Sequence, residues 1–183
     1  GSTSGIGRAI VRRFLAEGAQ VVFNNFRDDD TAASARAEFG DANALFVEAD
    51  VADAAAVQSM VARGIERFGR IDVLVNNAGR SAKGGPVEMS EEVWDAQIDH
   101  NLKSVFLTCK HVLPLMEKQG GGAIVNLAST SGLRWTGSAQ IGYATSKAGV
   151  IQFSRVTAVQ YANKGIRVNT VVPGQLHTPM VEA

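Results

Sequence analysis

The chain holds one cysteine, Cys109, in 183 residues. That excludes an internal disulfide framework and suits a reducing compartment. A lone thiol within a helical stretch reads as a small buried hydrophobe. Excess charge is also missing: Lys plus Arg and Asp plus Glu each number 18, a formal net charge of zero. This balance leaves no electrostatic case for nucleic acid or an anionic membrane as the main partner. No apolar run reaches the roughly 20 residues that cross a bilayer, and no signal peptide precedes the first motif. What remains, 45% hydrophobic and 20% charged residues, is enough for one domain with a sizeable core. The expectation is a single cytoplasmic domain over residues 1–183, with a small-molecule substrate, no nucleic acid, no membrane and no metal.

Short β-branched runs alternate with longer helical stretches. Ile6, Ala9, Ile10 and Phe14 recur at helical spacing and Gly18 ends that helix. Val21–Phe23, Leu45–Val47, Ile71–Val75, Ala123–Leu127 and Ile166–Val172 read as strands. Helices are predicted over about Asp29 to Phe39, from a cap at Asp53 to Gly69, over about Ser90 to Lys118 with a break near Asn101, and over about Tyr143 to Ala162. Strands alternating with helices argue for a parallel sheet covered on both faces, and the continuous apolar strands support that burial. Gly1 opens directly into a glycine turn and Ala183 follows a loop, so the expectation is the interior of a longer chain.

Gly1-Ser2-Thr3-Ser4-Gly5-Ile6-Gly7 leads into an amphipathic helix. Glycines let a phosphate approach the backbone, and a helix N-terminus supplies free N–H groups and partial positive charge. A purely structural turn is the competing reading. Asn76-Asn77-Ala78-Gly79 follows a strand directly, where open parallel sheets bind ligands. Asp50 ends the preceding strand and is either an adenine acceptor or a turn residue. Tyr143 and Lys147 are four residues apart on one helix face, with Ser129 upstream. An ammonium beside a phenol favours phenolate and lowers its pKa from about 10, which suits acid–base chemistry on a carbonyl/alcohol pair.

These motifs, in this order with Asn101 and Pro173-Gly174 followed by Thr178, resemble the short-chain dehydrogenases/reductases over nearly the whole chain. The resemblance implies a Rossmann-like, doubly wound α/β/α fold whose first strand and C-terminal lobe are not within residues 1–183. It implies an NAD(P)(H)-dependent oxidoreductase interconverting a carbonyl and a secondary alcohol. Tyr143 would be the general acid/base and Ser129 would hold the substrate oxygen, with Ser131 as the alternative. Lys147 would lower the tyrosine pKa and hold the nicotinamide ribose, and Asn101 would kink its helix and hold a water on the proton path.

Gly1, Ser4, Gly5, Ile6, Gly7, Asp50, Val51, Asn77, Ala78, Gly79, Pro173, Gly174, Leu176 and Thr178 would complete the cofactor site with Tyr143 and Lys147. Asn25 stands where relatives that prefer NAD carry an acidic residue, and Arg27 is close enough to meet a 2′-phosphate. NADP(H) is therefore expected over NAD(H), against which stand Ser4 and the nearby Asp28-Asp29-Asp30. Candidate substrates include 3-oxoacyl thioesters, small ketones and sugars. Trp135 and Ile141 are candidates to line the pocket. Val105, Leu113, Val150 and Phe153 are placed in the core or in a homodimer or homotetramer interface. A nucleotide-sensing regulator on the same fold is the alternative function, and expression of residues 1–183 alone is expected to fold poorly.

Overall fold

The computed structural model describes residues 1–176. Helix α1 (Gly5–Ala16) leads to strand β1 (Val21–Asn25), then α2 (Asp30–Phe39), β2 (Ala44–Glu48), α3 (Ala54–Phe68) and β3 (Val73–Asn76). Helix α4 (Glu91–Ile98) passes through a π-helical turn, Asp99–Lys103, into α5 (Ser104–Lys118). Then follow β4 (Gly122–Leu127), α6 (Ile141–Tyr161) and β5 (Ile166–Val171). The element types agree with the sequence pattern and the boundaries shift by one or two residues. Asp53 does cap α3, accepting from the Ala56 N–H at 2.7 Å, and Asp29 caps α2 through Ala32. The expected break near Asn101 is the π-helical turn, which interrupts the regular hydrogen-bond ladder.

Every strand pairing is parallel, in a Rossmann-like three-layer α/β/α arrangement. The strands form two sheets, β1-β2 and β3-β4-β5. Between β1 and β3 lies a cavity of about 400 Å³, lined by Ile10, Val11, Val22, Val61, Val75 and Val112 among others. The facing edges of β1 and β3 have no ladder partner there, so the sheet the sequence pattern suggests is divided at this point.

Two clusters of buried side chains follow that division. Phe23 packs with Val11, Ala35 and Ala44, and its ring meets Phe39 edge-on at 5.3 Å. The larger cluster joins Val105, Val112, Leu113 and Met116 of α5 to Ile124 of β4, Val150 of α6 and Ile166 of β5. Val105, Leu113 and Val150 therefore belong to the core and not to an interface, and Phe153 packs against the same cluster. Exposed apolar side chains on these helices include Phe106, Val156 and Val159, at positions the periodicity did not single out. Cys109 is buried, and burial pushes its thiol up to about 12, which leaves it a hydrophobe.

Residues 1–183 produced alone are expected to melt broadly and at low temperature, because the two sheets face each other across a cavity and are joined by helices and the Gly1–Asn77 contact instead of a strand ladder. A single sharp calorimetric transition in the usual range of about 45–65 °C would show that the open edges are tolerated.

Candidate functional site

The strands end on one side of the molecule, and the residues that follow them meet there. Asn77 continues from β3 and donates from Nδ2 to the Gly1 carbonyl at 2.7 Å, tying the Asn77-Ala78-Gly79 segment to the glycine turn. The turn has no spare volume. A Cβ on Gly7 would lie 2.1 Å from the Gly1 oxygen and 2.7 Å from Asn77 Nδ2, so no larger residue fits. Gly5 adopts φ +50°, in the left-handed region that favours glycine. Ser4 caps α1 without a side-chain hydrogen bond, and the first turn contains no acidic residue. The amides of that turn therefore face outward unneutralised, beside half-buried Ile6.

Asn101 is fully buried in the π-helical turn. Its Oδ1 accepts from the Arg80 N–H and its Nδ2 donates to the Arg80 carbonyl, each at 2.9 Å. The kink thus clamps the loop after β3. Arg80 engages each end of the amide once, which leaves the second lone pair of Oδ1 and the second hydrogen of Nδ2 unassigned. Gly79 lies against this amide: a Cβ there would fall 2.7 Å from Asn101 Oδ1 and 3.3 Å from Lys147 Nζ.

Lys147 is buried, and its ammonium donates to the Leu127 carbonyl at 2.8 Å. Nζ stands 5.7 Å from the centre of the Tyr143 ring. Burial pulls the lysine down to about 8. Tyr143 is half-buried, and burial pushes its phenol up, with Ser129 opposing the shift. The expected lowering of the phenol by the ammonium is therefore not present here. Desolvation sets the direction, while the Lys147 ammonium is turned to the Leu127 carbonyl.

Ser129 follows β4, is buried, and accepts from the Ser131 N–H at 3.2 Å. Ser131 instead pairs its hydroxyl with Thr136 at 3.1 Å on the surface, so Ser129 is the serine that faces the phenol. The Pro173 carbonyl accepts from the Thr130 N–H at 3.0 Å, which holds the Pro173-Gly174 segment beside it. Leu176 is exposed, and Thr178 lies outside the described residues.

At the other end of the site, Asn25 donates to the Asp29 carboxylate at 3.1 and 3.2 Å. Asp28 is paired with Arg36 at 2.7 Å. Arg27 lies over the Phe26 ring and forms no ion pair among the described residues. Asp50 accepts from the Ala52 N–H at 2.9 Å, a turn role that leaves its second oxygen open, and half-buried Val51 lines the cavity beside it. Sequence reasoning missed His100, whose Nε2 is 3.8 Å from Asp50 Oδ1. It also missed the Gly84–Gln140 bridge that joins the loop after β3 to the start of α6. Only the turn residues Gly84 and Gly85 hinted at that contact.

The whole chain, residues 1–183, matches the family described as short chain dehydrogenase. Levodione reductase of Leifsonia aquatica is 42% identical over 186 residues, covering 100% of this chain and 69% of the relative. A 3-oxoacyl-[acyl-carrier-protein] reductase of Thermotoga maritima is 40% identical over 187 residues, covering 100% and 74%. The crystal structure of a levodione reductase superposes with a TM-score of 0.93 at 39% identity, covering 99% of this chain and 71% of that one.

Lysine 147 sets a stability-versus-pH signature. Its folded pKa of about 8 lies below the unfolded 10.5, so between pH 8 and 10 the unfolded chain holds the extra proton and stability rises with pH. The gain over that window is about 2 kcal/mol. Lys147→Met is expected to flatten the rise in denaturant titrations of the full-length protein. An unchanged slope would place the source elsewhere.

Proposed function

This chain belongs to the short-chain dehydrogenase family and is an NAD(P)-dependent dehydrogenase/reductase; from that premise we propose that Tyr143 is its general acid/base on a carbonyl/secondary-alcohol pair. The observation that carries this reading is convergence. Ser129, Tyr143, Lys147 and Asn101 come from three separate segments, and Gly79 leaves just enough room between Asn101 and Lys147. In the reducing direction the Tyr143 hydroxyl gives its proton to the substrate oxygen, and in the oxidising direction it takes one. Ser129 Oγ donates to the same oxygen and fixes it against the phenol. Lys147 returns the proton toward solvent past the Asn101 kink, and its pKa of about 8 lets it do so near neutral pH.

The glycine turn fits a dinucleotide. Gly7 and Gly1 permit backbone approach, and the uncapped first turn of α1 offers N–H donors to a diphosphate at Gly5, Ile6 and Gly7. Asp50 with Val51 would hold the adenine, Asn77, Ala78, Gly79 and Lys147 the nicotinamide ribose, and Pro173, Gly174 and Leu176 the nicotinamide side. When bound, the dinucleotide supplies the hydride chemistry that the side chains lack.

NADP(H) is the proposed preference over NAD(H). Asn25 cannot accept from two ribose hydroxyls as a carboxylate does. Asp28 is neutralised by Arg36, and Arg27 remains available for a 2′-phosphate. The exposed Phe106, Val156 and Val159 on α5 and α6 support a homodimer or homotetramer built on that face. The names of the two relatives favour ketone reduction as the first direction to assay, with 3-oxoacyl thioesters and small cyclic ketones as probes. No observation favours the nucleotide-sensing alternative.

Tyr143→Phe in the full-length protein is expected to lower kcat by about 10² to 10⁴-fold across a ketone and alcohol panel, with dinucleotide affinity retained. A loss below tenfold would remove the phenol from the proton transfer. Arg27→Glu is expected to raise the KM for NADP(H) at least about tenfold, roughly one charge-assisted contact, and to spare NAD(H). Equal effects on both cofactors would end the argument for a 2′-phosphate contact.

A further inference from the structure

Behind the proposed site runs a line of buried polar side chains that the chemistry above does not use. Thr108 of α5 donates from Oγ1 to Asn76 Oδ1 at 2.7 Å. Asn76 of β3 donates from Nδ2 to Asn126 Oδ1 at 2.8 Å, and Asn126 of β4 donates from Nδ2 to Ser154 Oγ of α6 at 2.8 Å. Ser154 Oγ then donates to the Val150 carbonyl at 2.7 Å. All four side chains are buried, and Asn126 is wholly so at 0% exposure. Around them stands an aliphatic core that would accept leucine or valine without desolvation cost.

Each member is satisfied by the next, and the line also closes in the opposite sense. With both amides turned over, the Thr108 hydroxyl donates to the Ser104 or Val105 carbonyl, each 3.0 Å away, the side-chain bonds between Thr108, Asn76, Asn126 and Ser154 reverse, and Ser154 gives its proton to Asn126 in place of the Val150 carbonyl. A network satisfied in either sense has no weak link that favours slipping to another register.

We propose that Thr108, Asn76, Asn126 and Ser154 form a positioning chain that fixes α6 on β4 and so places Lys147. The geometry is direct. Asn126 immediately precedes Leu127, whose carbonyl receives the Lys147 ammonium. Ser154 is seven residues beyond Lys147, two helical turns along the same face of α6. Asn76 immediately precedes Asn77, which holds the glycine turn through the Gly1 carbonyl. One hydrogen-bonded row therefore sets two things at once: the height and rotation of α6 against β4, and the position of the β3 tip. The inference rests on the reading of Lys147 as part of the proton path, but its test needs no substrate.

The test is the titration of Lys147 in full-length protein labelled with [13Cε]lysine, the signal being assigned by its loss in Lys147→Arg. In the parent the signal is expected to titrate near 8. Ser154→Ala removes the last partner of Asn126, so α6 loosens, water reaches Nζ, and the midpoint is expected to rise by about one unit or more toward the ordinary lysine value. Ser154→Thr keeps the hydroxyl and is expected to restore the parent midpoint. If Ser154→Ala lowers the melting temperature and leaves the midpoint unmoved, the chain is structural support only and the proposal fails. Should that variant not fold, Thr108→Val probes the opposite end with shape retained. It is expected to move the midpoint in the same direction, and an unmoved midpoint overturns the proposal. The ketone and alcohol panel fails or succeeds separately: absent turnover with a shifted Lys147 would sink the catalytic reading and leave the positioning chain standing.

Discussion

A lysine ammonium held by one backbone carbonyl in a nearly dry place is the constraint on which the site is built. Lys147 Nζ has the Leu127 oxygen at 2.8 Å as its hydrogen-bond partner, and among the described residues no carboxylate is paired with it. Burying a charge with so little compensation is costly, and the lowered pKa is the expression of that cost. The surroundings must then be closely defined. Gly79 must lack a side chain, the Asn101 amide must be engaged by Arg80, and α6 must lie at one height on β4. Gly132 serves the same end, since a Cβ there would come within 2.7 Å of the Ala148 nitrogen. These glycines and amides form the walls of a lysine pocket.

The phenol shows how far local charge reasoning carries. The four-residue spacing of Tyr143 and Lys147 does place both on one helix face, as the sequence predicts. Sharing a face does not decide which part of each side chain is near the other. In the structure the ammonium lies against the ring and turns to a strand carbonyl, so burial dominates the titration of both groups. A bound dinucleotide with its ribose hydroxyls beside Lys147 would change that environment, which is consistent with a site completed only by its cofactor.

The nucleotide end is organised by competing charges. Asp28, Asp29 and Asp30 in the sequence suggest a negative patch hostile to a 2′-phosphate. Folded, Asp28 faces Arg36, and Asp29 is engaged with Asn25, Thr31 and the start of α2. Much of that apparent acidity goes into helix capping and pairing, and Arg27 is left without an ion-pair partner among the described residues. The exposed Phe106, Val156 and Val159 show a similar contrast: helical periodicity marks the apolar residues of α5 and α6 without telling which ones the core takes.

Alternating apolar strands and amphipathic helices, with their caps at Asp29, Ser90 and Asp53, determine the order of elements and the α/β class. These depend on contacts a few residues apart, which sequence spacing records directly. The motif residues were legible for the same reason: glycines, a Tyr-x-x-x-Lys pair and a strand-end Asn77 carry their chemistry in their identity. Only the tertiary structure showed the pairing of Ser131 with Thr136, the engagement of Asn101 with Arg80, and the burial that raises the phenol. Each of these turns on which atoms from distant segments come within a few ångströms, and on how much water remains between them, and neither quantity is written in local spacing.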